Sequence, residues 1–454
     1  MPKRVAVIGG GIAGLAAAVR IHDLAPQGTQ IVIYERGDVL GGKMSTGELL
    51  GNPVERGAES FLTSSPDGTP SAAVRLAERV GLGDALVHPA ARSAALAAGG
   101  NLDPIPGGTL MGIPRDTGDS DRDKGAPLLG PGEDITVGAL VRDRCGDNVV
   151  DRHVDPLLGG VYAGSADTLS LEATLPALAA AARSAHTLAA AVRAVQSAVV
   201  RPSNRPMFAS VIGGLGRLVT AAAAASGARI ELGVPVRRLL PTRTGWRLLA
   251  DSAPSTQADD VDAVVIAVPA APALPLLTCA TNASDAGSAL DLPYASVALV
   301  AMALPAGTPL PDLSGILVPS MEGTLVKAAT FVTHKWANPA RPDGPVIIRA
   351  SLAHAGEEQR LDRDDAALAR QAHRELSALL RAGLPSPTDF WVQRWDGGLP
   401  QYRTKHKERV AVLRDNLPPG IALAGAAYDG IGIPACIVSG ETAADGIVDY
   451  LRML

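Results

Sequence analysis

The sequence predicts an α/β fold, and three observations predict it. An apolar β-branched run, Arg4 to Ile8, leads into a glycine-rich turn, Gly9-x-Gly11-x-x-Gly14, and on into a segment of helical character, Leu15 to Leu24. A second apolar run, Gln30 to Tyr34, follows the turn Pro26-Gln27-Gly28 and ends at the acidic Glu35. The last fifty residues return to a short strand, from Ile421, and then a helix rich in small residues. Nucleotide-binding character thus stands at both ends of the chain. The expectation is a discontinuous Rossmann-like domain with other material inserted.

Between the ends, residues 99–134 are rich in Gly, Pro and Asp and read as a long exposed excursion. Residues 137–200 read as helical. Gly213 to Ser226 reads as a helix entered through glycines, with strands on either side of Gly245. Asp262 to Pro269 is a buried strand. Val297 to Leu304, Thr324 to Thr333 and Pro345 to Leu352 suggest a separate sheet, and Arg363 to Ala382 an amphipathic helix. At 454 residues the chain exceeds what one core supports. The division expected is a dinucleotide domain of residues 1–75, 208–285 and 395–454, a mainly helical domain of 76–207, and an α+β substrate-binding domain of 286–394.

Apolar residues make up 47% and charged residues 19%, a globular composition. The net charge of −5 argues against nucleic acid as a partner, because a duplex reader needs a basic face. Arg237-Arg238 and Lys405-His406-Lys407 read as solvated surface. Cys145, Cys279 and Cys436 are odd in number and far apart. They exclude a disulfide scaffold, give no metal site and fit a reducing, cytoplasmic setting. Lys3-Arg4 and the apolar run to Val19 imitate a secretory signal, but four glycines break that run in a fixed pattern. Leu175 to Val200 is interrupted by Arg183, His186 and Arg193, so no spanning helix is expected and membrane contact is at most peripheral.

The glycines of the first turn have separate tasks. Gly9 permits the sharp exit from the strand. Gly11 lets backbone approach a pyrophosphate, and Gly14 lets the helix pack on the strand. Gly10, Ile12 and Ala13 complete the turn. The helix N-terminus presents free N–H groups and partial positive charge to phosphate. Glu35 is placed to accept hydrogen bonds from ribose hydroxyls. After it, Arg36-x-x-x-x-Gly41-Gly42-Lys43 adds a second glycine pair and a cation within reach of the same pyrophosphate. This doublet resembles that of the amine-oxidase-like flavoprotein superfamily and points to FAD over NAD. Gly213-Gly214-x-Gly216 lacks the rest of a second dinucleotide motif, so oxygen is the expected electron acceptor. At the other end, Tyr428-Asp-Gly-Ile-Gly-Ile-Pro434 opens a helix whose positive end can face the flavin pyrimidine.

Further segments occur in order: Arg56-Gly57-Ala58-Glu59-Ser60-Phe61-Leu62, Met111-Gly-Ile-Pro114, Gly160-Val-Tyr-Ala-Gly164, Trp395-x-x-x-Leu399-Pro-Gln-Tyr402 and Gly432-Ile-Pro-x-Cys436. Together they resemble the porphyrinogen oxidases of haem biosynthesis over residues 4 to about 450. The wording of residues 55–62 is more similar to the soluble bacterial coproporphyrinogen III oxidases than to the membrane-attached protoporphyrinogen oxidases. The Ala- and Arg-rich composition looks actinobacterial.

The resemblance implies roles. Gly9 to Gly14 hold the FAD pyrophosphate, and Glu35 with Arg36 the adenosine ribose. Gly42 and Lys43 approach the phosphates. Gly57, Ala58, Glu59 and Ser60 run past the ring system, and Val236 offers its backbone to adenine. Trp395 packs near the flavin, and Ile431, Gly432 and Ile433 line its pyrimidine end. Residue 435 is Ala where the family often carries Asp. Cys436 invites a covalent flavin link, but a small buried core residue is the reading adopted, so FAD is non-covalent. The implied reaction takes coproporphyrinogen III to coproporphyrin III. The hydrogens leave in successive two-electron steps: in each, a hydride leaves a meso carbon, a pyrrole N–H proton is lost, and one oxygen becomes hydrogen peroxide.

Gly160 is the candidate for backbone contact with the substrate. Arg115, Lys335 and Arg349 are candidates for its propionates. His153, His334 and His406 stand isolated and read as surface or structural. A downstream porphyrin-accepting enzyme is a conceivable partner. Protoporphyrinogen IX oxidation, an amine oxidase or carotenoid desaturase, and a non-catalytic flavin or porphyrin binder remain as alternatives.

Overall fold

The computed structural model describes residues 2–91, 93–117, 120–200, 205–252, 255–278, 287, 290–336 and 343–454. Cys279 lies outside the described residues.

The first layer is a five-stranded parallel sheet of order β10-β2-β1-β14-β20: β1 (Arg4–Ile8), β2 (Gln30–Tyr34), β10 (Arg229–Glu231), β14 (Ala263–Ile266) and β20 (Ile421–Leu423). The central β1 is buried from Val5 to Ile8, and β14 throughout, because both faces of the sheet are covered. One face carries four helices. They are α1 (Ile12–Leu24), α2 (Ala72–Arg79), α9 (Gly216–Ala225) and the C-terminal α14 (Ile433–Met453). A Cβ on Gly440 would lie 2.1 Å from the Ala13 carbonyl oxygen, so the glycine lets α14 cross α1 in direct contact. The other face is covered by α10 (Ala270–Thr278) and an antiparallel three-stranded sheet, β11 (Val236–Pro241), β12 (Trp246–Ser252) and β13 (Ser255–Val261).

A seven-stranded sheet stands apart, of order β19-β15-β18-β17-β16-β7-β8. Its strands are β7 (Ala95–Ala98), β8 (Asn101–Pro104), β15 (Tyr294–Leu304), β16 (Gly315–Leu317), β17 (Val326–Phe331), β18 (Val346–Leu352) and β19 (Asp389–Pro400). Alternate residues of β15, β17 and β18 bury one face against α12 (Asp365–Leu379). On the other face, Ala301, Ala303 and Ile347 meet the hairpin β3 (Thr46–Leu49) and β4 (Asn52–Glu55). A small sheet, β5 (Phe61–Leu62), β9 (Phe208–Val211) and β6 (Leu86–Val87), joins the hairpin region to α9.

The third body is helical: α3 (Val137–Cys145), α4 (Asp147–Val149), α5 (Asp155–Tyr162), α6 (Leu171–Thr174), α7 (Pro176–Ala182) and α8 (Leu188–Ala198). A π-helical turn, Val150–Val154, leads into α5. Two short elements complete the order, α11 (Val332–Lys335) and α13 (His406–Asp415).

The stretch expected to be an exposed excursion is largely exposed, but it is anchored at a few points. It begins as β8, and Ile113 and Leu129 are buried in the helical core. Asp121 is buried, accepting the Leu188 and Ala189 N–H groups at 2.9 and 2.8 Å at the start of α8. Its many Asp residues serve partly as helix caps, a role that composition does not distinguish from solvation. The Lys405-His406-Lys407 cluster is likewise not all surface, since His406 is 2% exposed and stacks on Tyr402 at 4.5 Å.

Candidate active site

The glycine turn is built as its spacing predicts. A Cβ at Gly9 would meet the Ala267 carbonyl oxygen at 2.5 Å, and one at Gly14 would meet the Gly9 carbonyl oxygen at 2.0 Å. Gly9 also has φ +107°, a left-handed value that suits glycine. At Gly11 nothing lies within 4 Å of that position, so space opens above the turn where the helix begins. The α1 N-terminus has no side-chain cap, which leaves its N–H groups available to a ligand.

The second glycine pair is laid beside the first. Gly41 forms a parallel bridge with Gly11 and donates to the Gly10 carbonyl at 2.9 Å. Glu35 braces the arrangement, one carboxylate oxygen accepting the Gly10 N–H and the other the Gly37 N–H, both at 2.8 Å. Arg36 is exposed next to it. Val234 donates to the Glu35 carbonyl at 2.9 Å and Gly233 to that of Gly37 at 3.0 Å, which brings the segment leading into Val236 alongside.

Lys43 is half-buried. Burial lowers its pKa, with the Cys436 thiol and Arg36 both close enough to act on it. The second turn therefore meets the start of α14. That helix also lacks a side-chain cap: Gly432 is its N-cap, Pro434 lies in its first turn, and Ile431 and Ile433 flank the opening. Cys436 donates to the Gly430 carbonyl at 3.4 Å, and burial pushes its thiol up to about 11. A protonated, buried thiol is a poor nucleophile.

The segment from Glu55 to Ser60 is clamped from several sides. Arg349 Nη1 donates to the Glu55 and Gly57 carbonyls at 2.9 and 3.0 Å. Trp395 Nε1 donates to the Arg56 carbonyl at 2.6 Å, and Ala58 donates to that of Lys43 at 2.9 Å. A Cβ on Gly57 would fall 2.1 Å from the Lys43 carbonyl oxygen and 3.4 Å from the Trp395 ring. Gly57, Lys43 and Trp395 thus converge, although they are hundreds of residues apart in part.

Glu59 ties this segment to the large sheet. Its carboxylate takes Lys335 Nζ at 2.9 Å, Arg349 Nη2 at 3.3 Å and Trp336 Nε1 at 3.0 Å. Burial opposes its charge, but Arg349 and Lys335 overcome that and hold its pKa at about 2. Lys335 and Arg349, expected as partners of substrate propionates, are both paired with a carboxylate of the chain itself. Neighbouring Glu55 goes the other way, pushed up to about 7 by burial despite accepting the Leu215 N–H at 2.6 Å and the Thr46 hydroxyl.

Gly160 lies in the last turn of α5, within the stretch expected to be helical. A last-turn carbonyl has no donor within its own helix. Gly160 and Val161 are exposed, and a Cβ at Gly160 would meet Leu317 Cδ2 at 3.2 Å. The α5 end is fixed by Gln401 Nε2, which donates to the Tyr162 carbonyl at 2.8 Å. On the sheet face that also carries Ala301 and Ala303, β15 has Leu299, itself buried, with Ser351 and Gln393 as its cross-strand partners. Arg115 is exposed beside α8, its carbonyl accepting from Arg193 at 3.2 Å, and it joins none of these groups. His153 is half-buried with Nδ1 unpartnered, and His334 Nδ1 lies 3.2 Å from the Pro311 carbonyl.

Sequence reasoning missed Gln401, whose signal was its place in the Trp395–Tyr402 motif. It also missed Lys327, a buried lysine in β17 that no spacing rule marks. Among the described residues no helix is long and apolar enough to cross a membrane.

Residues 12–448 match the family of flavin containing amine oxidoreductases. The chain is 34% identical to the coproporphyrinogen III oxidase of Mycobacterium tuberculosis, over 99% of this chain and 98% of that protein. It is 28% identical to the coproporphyrinogen III oxidase of Bacillus subtilis, over 99% and 98%. A solved structure from Exiguobacterium sp. 255-15, provisionally named a protoporphyrinogen oxidase, superposes with a TM-score of 0.83 at 28% identity, covering 99% of each chain. Two glycine turns and two uncapped helix ends meeting at one place fit a bound dinucleotide. With the match spanning nearly the whole length, the chain belongs to the flavin containing amine oxidoreductase family and is a flavin-dependent oxidoreductase.

Proposed function

We propose that the chain oxidises coproporphyrinogen III to coproporphyrin III, with FAD as hydride acceptor and oxygen as final acceptor yielding hydrogen peroxide. The observation that carries the substrate is the full-length similarity to coproporphyrinogen III oxidases, at 34% identity to the Mycobacterium tuberculosis protein. FAD supplies a two-electron acceptor held against the substrate. The chain's own residues do the rest. Gly9 to Gly14, with Gly41 to Lys43, hold the pyrophosphate through backbone N–H groups and one ammonium. Glu35, Arg36 and the strand at Val236 take the adenosine end. Gly57 to Ser60 and Trp395 flank the ring, and the α14 N-terminus at Ile431 to Ile433 favours negative charge at its pyrimidine side.

The substrate lies between α5 and the free sheet face, where the Gly160 carbonyl accepts from a pyrrole N–H. Orientation and a dry face suffice for much of this chemistry, because the product gains aromaticity. In this reading residues 1–75, 208–285 and 395–454 mainly serve FAD, and 76–207 with 286–394 mainly enclose the substrate. The exceptions are α2, all of which packs on the dinucleotide sheet, and β7, β8 and residues 395–400, which belong to the large sheet. The setting is cytoplasmic, with any membrane contact peripheral and the porphyrin passed to an enzyme that accepts it. Steady-state turnover followed by porphyrin fluorescence tests the substrate. Faster oxidation of coproporphyrinogen III than of protoporphyrinogen IX is expected, and the reverse order would overturn the reading.

A further inference from the structure

Lys335 and Arg349 are bound to Glu59, yet another buried cation has no such partner. Lys327 sits in β17 at a bulge: Val326 pairs with Leu352 and Ala328 with Ser351, which leaves Lys327 as the extra residue. A bulge re-aims a side chain out of the ladder. Here the backbone stays anchored, the Lys327 carbonyl accepting the Val318 N–H at 2.8 Å. The side chain lines a cavity of about 10 Å³ between the sheet and α5. Gly159, Ala163, Gly164 and His354 share its wall.

Lys327 is 6% exposed, and among the described residues its Nζ makes no hydrogen bond or ion pair. Glu358 acts on it from beyond ion-pair distance, and burial moves its pKa down to about 8. His354 Nε2 is buried and unpartnered, and Lys327 is among the charges that disfavour protonation of that ring. Asp155 also lines the cavity, but its carboxylate accepts the Ala166 N–H at 2.8 Å. The space thus holds two bases, one carboxylate that forms no ion pair with either, and room for about one oxygen atom. It adjoins the substrate cleft, because Ala163 packs with Val297 and Trp395.

We propose that the Lys327–His354 cavity is a carboxylate subsite, where one propionate of the substrate sets an oxygen between the Lys327 ammonium and His354 Nε2. This rests on the porphyrinogen reading above. An isolated buried cation is costly, and a carboxylate arm that neutralises it explains why the bulge and the unpaired lysine stand together. The subsite also distinguishes substrates by where their acidic arms lie, since an apolar substituent reaching this wall leaves the lysine unpaired.

The test compares coproporphyrin III with its tetramethyl ester as fluorescent ligands of the flavin-loaded protein. Lys327→Met is expected to weaken the acid by about tenfold or more, the scale of one charge-assisted bond, with the ester unchanged. KM for coproporphyrinogen III rises in parallel while kcat stays within about threefold. The melting temperature of the ligand-free variant holds or rises, because a buried unpaired charge has been removed. Lys327→Arg restores part of the affinity. His354→Leu, a separate variant of the same wall, weakens the acid by about threefold and spares the ester. Unchanged affinity in both variants, or equal loss for acid and ester with a lowered melting temperature, would overturn the subsite. Were the unaltered chain to oxidise only protoporphyrinogen IX, the coproporphyrinogen reading would fall. Protoporphyrin IX and its dimethyl ester would then decide the subsite by the same comparison.

Discussion

The dinucleotide end and the substrate face are built by opposite means. At the dinucleotide end, backbone does the recognition: Gly9, Gly11, Gly14, Gly41 and two bare helix N-termini meet with few side chains involved. At the substrate face, side chains from distant segments do it, as when Glu59 gathers Lys335, Trp336 and Arg349. Each piece of a backbone site can be written in a short run of consecutive residues. A side-chain site exists only once the sheet has formed.

Substitutions that separate the two kinds of site sharpen this contrast. The largest effect is expected for Glu59→Gln. It strands two buried cations, and removing one partner of a buried ion pair costs about 3–5 kcal/mol. Denaturant unfolding would read this; a loss well below about 1 kcal/mol contradicts the assigned role. The same carboxylate has a pH signature. Its pKa is depressed to about 2, so its contribution is present above the ordinary value of 4.5 and lost as pH falls from 4.5 towards 2.

Glu55 has the opposite sign. Its folded pKa is raised to about 7, so stability falls as pH rises from 4.5 through 7, by on the order of 3 kcal/mol. Glu55→Gln should flatten that slope, as measured by unfolding midpoints on either side of the window. A slope that survives the substitution assigns it to other groups.

Gly11→Ala is the matching test of the backbone site. The added methyl meets no protein atom within 4 Å, so the fold should be retained. It intrudes where the pyrophosphate lies, and the loss of about two charge-assisted bonds weakens FAD by roughly 100-fold. Full flavin retention in this variant would break the comparison. The smallest effect is expected at Cys436, whose thiol is protonated and turned to the Gly430 carbonyl. Cys436→Ala should retain flavin as the unaltered chain does, and acid precipitation of either should release all of it.

The contrast also explains what was legible. The β1–α1–β2 unit, its turn and Glu35 could be read directly because each contact is local or follows one glycine's steric need. The bridge between Gly11 and Gly41 was within reach for the same reason. By contrast, Lys335 and Arg349 looked like free cations, because their partner lies far away in sequence and meets them only once the chain has folded. Asp121 looked solvated and caps α8. His406 sat between two lysines and is buried on Tyr402. Gly160 was placed near the substrate by resemblance and in a helical stretch by its sequence, and the fold puts it in the last turn of α5. Lys327 gave no signal, since a bulge depends on the register of a neighbouring strand.

The central claim is that a flavin seated by backbone accepts a hydride from a porphyrinogen lying on the sheet face. Anaerobic mixing of the FAD-loaded protein with coproporphyrinogen III tests it most directly. The account predicts that the visible flavin band bleaches on mixing, and that admitted oxygen restores the band and brings out porphyrin fluorescence. Flavin that stays oxidised under these conditions, or that bleaches more readily with protoporphyrinogen IX, would contradict it.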